Sequence, residues 1–261
     1  MAFTVHAVMP GVWHIVDCMG VCMTLLEGEN AAMLVDTGYG IEDVADFMRH
    51  MTDLPLTVFL THNHHDHAMG ARCFPETYML EADMADWRMF TNDEMRRRVL
   101  TQAIGKNLTV DEKTFLAGEI PLPKVMKPGV IDLGGLTAEI IEAPGHTPGS
   151  AVVYVPERKL LLSGDDWNPC TWLFFPKALG LREYRSNMRG IQQLPFEKVL
   201  CPHREALYDR WMFDDFFNAL TDGNLRAAEP VNIAPYEQID TCQATLPHDQ
   251  VLVFDWAKSG L

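Results

Sequence analysis

The sequence predicts an α/β protein in which two β-sheets are sandwiched between helical layers. Three observations lead there. Short apolar runs of strand length alternate with segments of helical period along the chain. Hairpin signals stand at the start of each half. The 261 residues can bury one sizeable core, so a single domain over residues 1–261 is expected. Two sheets between helical layers satisfy this pattern, and a two-layer α/β arrangement stays open on pattern alone.

Taken in order, residues 11–17 read as a strand. Residues 23–26 follow as a second, then the turn signal Glu27-Gly28-Glu29-Asn30, then a third strand at 31–35, which together suggest an antiparallel meander. The period then changes. Ile41, Val44, Phe47, Met48 and Met51 fall at helical spacing behind Gly38 and Gly40. Residues 56–60 form a short apolar strand that runs into a histidine cluster. Residues 81–102 read as helical and lead into a Lys/Pro/Gly-containing stretch up to 129, so a helical and loop insertion is expected at about 82–128, near the functional site. Strand patterns return at 137–142, 150–155 and 159–163. A helix is expected near 183–194, a strand at 198–201, a helix near 206–220 and a last strand at 251–254.

Composition excludes several classes. A net charge of −15 disfavours nucleic acid and anionic membranes as partners. No apolar run reaches the roughly 20 residues a membrane span needs. The N-terminus lacks a basic region followed by an apolar one, and the six cysteines are scattered, so reduced thiols and a cytoplasmic location are expected. A small-molecule substrate is the partner that remains. One basic region, Arg96, Arg97, Arg98, Lys106, Lys113, Lys124 and Lys127, reads as a solvated face or as a lid attracting an acidic substrate.

Four of the ten histidines sit within six residues, in His62-Asn63-His64-His65-Asp66-His67. Strand alternation points residues 62 and 64 the same way, so two imidazoles can converge on one ion. Asp66 and His67, just past a turn, can reach a second ion. Alternation turns His65 away from the ligand set. Imidazole and carboxylate suit Zn²⁺, with Mn²⁺ or Fe²⁺ as acceptable alternatives.

The run His62-x-His64-x-Asp66-His67 resembles the HxHxDH motif of the metallo-β-lactamase superfamily. Four further segments match in the family's order: Val35-Asp36-Thr37-Gly38, Ala143 to Ser150 around His146, Leu162-Ser163-Gly164-Asp165, and Cys201-Pro202-His203. The resemblance implies a four-layer αβ/βα sandwich of two mixed β-sheets flanked by helices. It implies one ion on His62, His64 and His146, a second on Asp66, His67 and His203, Asp165 bridging both, and Asp36 orienting the ligand loop. The chain departs from the family where a Gly-His-Gly is common, with Arg204-Glu205 after His203. Asp166 is expected to be solvated or to sit behind the ligands.

A dinuclear hydrolase is therefore expected, using a metal-bridging hydroxide to cleave a small ester, thioester or lactone, with Asp66 and Asp165 as catalytic carboxylates. Lactamase and phosphodiesterase activities are disfavoured. The bridging residue is an aspartate rather than a cysteine, and the charge opposes nucleic acid. The alternatives are a mononuclear iron oxygenase acting on persulfides and a catalytically silent metal-binding regulator. Trp167, Trp172, Leu173, Phe174 and Phe175 form either core or a pocket wall, as do Met84, Trp87, Met89 and Phe90. Lactonase-like relatives place a tyrosine near the bridging aspartate, and Tyr184 is the distant candidate here. The C-terminal basic residues of glutathione thioesterases are largely missing, with only Arg226 and Lys258 after residue 212.

Overall fold

The computed structural model describes residues 3–261. A seven-stranded sheet runs in chain order through β1 (Thr4–Met9), β2 (Val12–Val16), β3 (Cys22–Glu27), β4 (Ala32–Val35), β5 (Leu56–Phe59), β6 (Tyr78–Met79) and β7 (Lys124–Val125). β1 to β4 pair antiparallel, the meander read from the sequence, and β4 to β7 run parallel. A second sheet takes β8 (Gly129–Asp132), β9 (Thr137–Glu142), β10 (Ala151–Val155) and β11 (Leu160–Leu162). The chain leaves it for β12 (Cys170–Leu173) and returns with β13 (Lys198–Leu200), parallel to β11, and β14 (Tyr208–Asp209). Both sheets are mixed, as expected. The sequence did not announce a third sheet, in which β12 joins β15 (Glu229–Pro230), β16 (Thr241–Leu246) and β17 (Gln250–Asp255).

The layers follow from the two-residue period of strands. In β3 and β4, Leu26, Met33 and Val35 point inward to meet Ala151, Val153, Val155, Leu160 and Leu162 of the second sheet. Their neighbours Leu25, Ala32 and Leu34 point outward against Val44 and Met48 of α1 (Val44–Met51). On the far side, Val152, Tyr154 and Leu161 pack against later helices and the third sheet. The element order continues with α2 (His65–Ala68), α3 (Trp87–Thr91), α4 (Asp93–Gly105), α5 (Glu112–Phe115), α6 (Leu181–Ile191), α7 (Arg210–Ala219) and α8 (Asp222–Arg226). α6 and α7 cover that outer face through Tyr184, Met188, Phe213 and Phe216. Among the described residues no helix is long and apolar enough to cross a membrane. All six cysteines are unpaired.

Two helices differ from their sequence expectation. The helix read over 81–102 is broken into a 3₁₀ segment (Glu81–Asp86), α3 and α4, because the Asn92 side chain accepts from the Met95 amide and starts a new helix. The helix read from 206 begins at Arg210, since Tyr208 and Asp209 pair with β13 instead.

The two sheets also meet through their turns. The amides of Glu29 and Asn30 donate to the carbonyls of Gly134 and Leu133 at 2.7 and 2.9 Å. At Gly28 a Cβ would lie 2.1 Å from the Leu133 carbonyl oxygen. Gly28→Ala is therefore expected to cost about 1–3 kcal/mol of stability, as overpacking does. A lowered urea midpoint with an unchanged m-value would show it.

Candidate metal centre

The parallel parts of both sheets bring their C-terminal ends to one edge, and the candidate residues follow directly from those ends. Asp36 follows β4, His62 to His67 follow β5, His146 follows β9, Asp165 follows β11 and His203 follows β13. Asp66 and His67 lie in the single helical turn of α2, which brings them back towards His62 and His64.

Three groups of potential ligand atoms, each within 4.8 Å of one another, converge there: His62 with His64 and His146, His62 with His67 and Asp165, and Asp66 with His67 and His203. His64 Nδ1 lies 2.8 Å from His146 Nε2. Asp165 is central. Its carboxylate lies 3.0 Å from His203 Nε2, 3.4 Å from His67 Nε2 and 3.5 Å from His146 Nε2. Asp66 Oδ2 is 3.7 Å from both His67 Nε2 and His203 Nε2. All seven residues that the sequence pattern singles out are brought together.

The surrounding hydrogen bonds fix which nitrogen three of the rings present. His67 Nδ1–H donates to Asp36 Oδ2 at 2.9 Å, and His146 Nδ1–H donates to the Trp172 carbonyl at 2.7 Å. The Thr61 hydroxyl donates to Asp36, so its oxygen accepts from His62 Nδ1–H at 3.1 Å. Three rings thus carry their proton outward and turn Nε2 inward, the arrangement metal-ligating histidines use. His62 Nε2 and His67 Nε2 are buried without a hydrogen-bond partner. Buried lone pairs left unpaired are costly unless something fills the space between them. A cation suits this donor set of imidazoles and carboxylates.

Asp36 holds a left-handed backbone (φ 65°), uncommon for a residue with a side chain. Its Oδ1 accepts from the Thr61 amide at 2.7 Å and its Oδ2 from His67, so one carboxylate ties the ends of β4 and β5 to the cluster. Strain of this kind is tolerated where the surroundings over-determine it.

Charge divides the cluster in two. Burial holds the imidazoles of His62 and His64 well below their ordinary range, and lowers His146 as well. Burial opposes charge on His67 too, but the carboxylates of Asp165, Asp66 and Asp36 outweigh it and raise that ring well above its usual value. His203 is raised against burial, chiefly by Asp165. Asp66 falls to about 2 despite its burial, held there by His67, His65 and His203. One half offers neutral nitrogens and the other gathers positive charge between carboxylates. The neutral half can ligate a cation as it stands, and in the other half a cation would take the place of the ring protons that the carboxylates hold.

The cluster forms one wall of a cavity of about 510 Å³. Phe90, Met95, Trp172, Phe175 and Tyr236 supply its apolar surface, and Arg98 and Arg204 also reach it. The two aromatic stretches therefore divide. Trp172, Phe175 and Phe90 face the cavity, while Trp167, Leu173, Phe174 and Trp87 are buried core.

Several sequence expectations are corrected here. His65 stays outside all three groups of ligand atoms, as expected, but its ring is not turned from the cavity. It lines the cavity, edge-on to Tyr39 with ring centroids 5.6 Å apart, because residues 65–68 are helical and strand alternation has ended. Asp166 takes the second of its two expected places, behind the ligands. It is fully buried and accepts from the His146 amide at 2.9 Å. Tyr184 does not reach the cavity, since its hydroxyl is buried against the Asp166 carbonyl. Arg96 is no solvated helix face. Its guanidinium is buried and donates to the carbonyls of Phe115 and Gly118 at 3.3 and 2.7 Å, holding the 81–128 segment together. Tyr39 and Tyr236 were missed. Tyr39 adjoins the Asp36 motif and could have been found there, whereas Tyr236 lies in an irregular stretch without a local signal.

A model of the metallo-beta-lactamase superfamily matches residues 16–203. The chain is 26% identical over 202 residues to acyl-coenzyme A thioesterase MBLAC2 from Gallus gallus, covering 69% of this chain and 70% of that protein. It is 23% identical over 173 residues to the linear primary-alkylsulfatase of Pseudomonas sp. (strain ATCC 19151), covering 54% of this chain and 32% of that protein. A metallo-beta-lactamase from Pontibacter korlensis superposes with a TM-score of 0.59 at 17% identity, covering 83% of this chain and 97% of that one.

Proposed function

The chain belongs to the metallo-β-lactamase superfamily, and from that premise we propose that it is a two-metal hydrolase of small acyl thioesters and related esters. The observation that carries this reading is the cluster's position in the wall of a cavity of about 510 Å³ with aromatic surfaces, within the size range of small-molecule sites. His62, His64 and His146 would hold one ion and Asp66, His67 and His203 the other, with Asp165 between them; zinc suits the donors best. When bound, such ions would supply a water acidic enough to ionise near neutrality and a Lewis acid for the substrate's carbonyl.

The chain's own residues do the rest. Phe90, Trp172, Phe175 and Tyr236 bind an apolar acyl group beside the cluster. As a metal ligand Asp66 would be ionised, and so would serve as a ligand rather than as a proton donor to the leaving group. That favours a leaving group that departs as an anion. A thiol, with an ordinary pKa of about 8.5, leaves without a proton far more readily than an alcohol. The similarity to an acyl-coenzyme A thioesterase points the same way. Arg98 is exposed at the cavity and pairs with no carboxylate among the described residues, which suits a substrate with an anionic group.

The test is a substrate panel of acyl-coenzyme A thioesters of several chain lengths, a carboxylic ester, a lactone and an alkyl sulfate. Thioesters are expected to give the highest kcat/KM. The alkyl sulfate arm covers a second reading, supported by the same arginines and by the alkylsulfatase similarity. Phe175→Ala is expected to lower kcat/KM about tenfold or more for long acyl chains and little for acetyl, since burying one such ring contributes about 1.5–3 kcal/mol. Equal loss for all chain lengths would remove Phe175 from the acyl wall.

A further inference from the structure

Asp83 begins the segment between β6 and β7 and lies in the 3₁₀ turn Glu81–Asp86, yet it is almost fully buried. Its carboxylate touches none of the seven candidate ligands. Instead Oδ1 accepts from the Gly149 amide at 2.6 Å, and Oδ2 accepts from the Thr147 hydroxyl at 2.7 Å and the Asn63 amide at 3.2 Å. Its own backbone carbonyl accepts from the Asn63 side-chain amide at 3.0 Å. Asn63 stands between His62 and His64, while Thr147 and Gly149 follow His146.

We infer that Asp83 is a positioning residue that clamps the loop carrying His62 and His64 to the loop carrying His146. Two observations support this independently of the hydrogen bonds' count. At Gly149 a Cβ would lie 2.6 Å from Asp83 Cγ, so the loop comes this close only because residue 149 has no side chain. And the Ser150 hydroxyl accepts from the Thr147 amide at 3.0 Å, which fixes the turn that aims Thr147 at Asp83. Bonds to a buried carboxylate are among the stronger hydrogen bonds in proteins, so the clamp resists parting of the two loops. Asp36 does the corresponding work on the other side, through Thr61 and His67. Asp83 thus ties the loop of His62 and His64 to that of His146, while Asp36 holds His67 directly and His62 through Thr61.

The experiment uses the full chain with Asp83→Asn, Gly149→Ala and Thr147→Val, the last keeping the carboxylate and removing its 2.7 Å bond together with the 2.9 Å bond between the Thr147 and Ser150 hydroxyls. Amide exchange in metal-free protein is expected to quicken at residues 63, 147 and 149 in each variant, and to stay unchanged at Asp36 and Thr61. Chelator competition with zinc is expected to show one of two ions weakened about 10- to 100-fold, the usual effect of losing a residue that orients ligands, with the other within about threefold. Unchanged exchange at 63 and 149, or both ions weakened alike, overturns the inference. The affinity arm rests on the two-metal reading. If the unmodified chain binds no zinc, that reading fails and the exchange arm alone decides on the clamp. If Asp83→Asn does not fold, Thr147→Val carries the test with a smaller change at the same amides.

Discussion

Asp165→Ala is expected to lower kcat/KM by about 10³-fold or more and to strip the protein of at least one bound ion. The loss of several kcal/mol of charge stabilisation, at about 1.4 kcal/mol per tenfold, sets that scale. Asp165 is the carboxylate that reaches both halves of the cluster, lying 3.5 Å from His146 Nε2 on one side and 3.0 and 3.4 Å from His203 and His67 on the other. Without it, the neutral imidazoles keep each other's company but His203 loses its nearest carboxylate and His67 one of its neighbours. Elemental analysis and steady-state kinetics on the same preparation check the prediction, with circular dichroism to establish folding. A folded Asp165→Ala protein with full activity and undiminished metal would sink the bridging role.

The second large effect is expected at Asp36, which lies behind the ligands. Asn is the informative replacement, because it tolerates the left-handed backbone at φ 65° while placing an amide where Oδ1 or Oδ2 accepts. A carboxylate oxygen takes the Thr61 amide and another takes His67 Nδ1–H, and an amide group cannot accept at both. One of the two partners is therefore left unpaired and His67 loses its fixed orientation. Metal affinity or activity is expected to fall about 10- to 100-fold. Asp36→Ala should fall further, since it adds backbone strain at the same position. The comparison of the two variants by zinc titration separates orientation from strain. Equal affinity in the unmodified and Asp36→Asn proteins would leave Asp36 with a folding role alone.

Most of the candidate site could be read in the chain because its residues stand directly after strands, where apolar runs stop and ligand-type side chains begin. His62, His64, His146, Asp165 and His203 all follow that rule. The rule fails where the backbone changes type. His65 was placed by strand alternation, but helix α2 had already begun, and the ring turned into the cavity. Asp83 was hidden inside a run of helical period whose real conformation is a 3₁₀ turn. Its partners lie 20 and 64 or more residues away, a separation no local pattern encodes. The same holds for the layers. Strands with continuous apolar sequence, such as β4 and β10, could be seen, but β16 mixes buried and partly exposed positions and has polar Thr and Gln among them. It is a strand because β17 pairs along its whole length, not because its own residues demand it. Arg96 illustrates the converse. A charge run reads as a solvated face, yet one of three adjacent arginines turns inward to satisfy carbonyls at 115 and 118.

The requirement for two ions in one hydrolytic centre is the central expectation. Its most direct test is a zinc titration of metal-free protein in which thioester hydrolysis and zinc binding are read together. Activity is expected to be absent without metal and to rise until about two equivalents are bound, as a two-metal site requires. Full hydrolysis by metal-free protein or at one equivalent, or oxygen consumption in place of hydrolysis once iron is supplied, would contradict it.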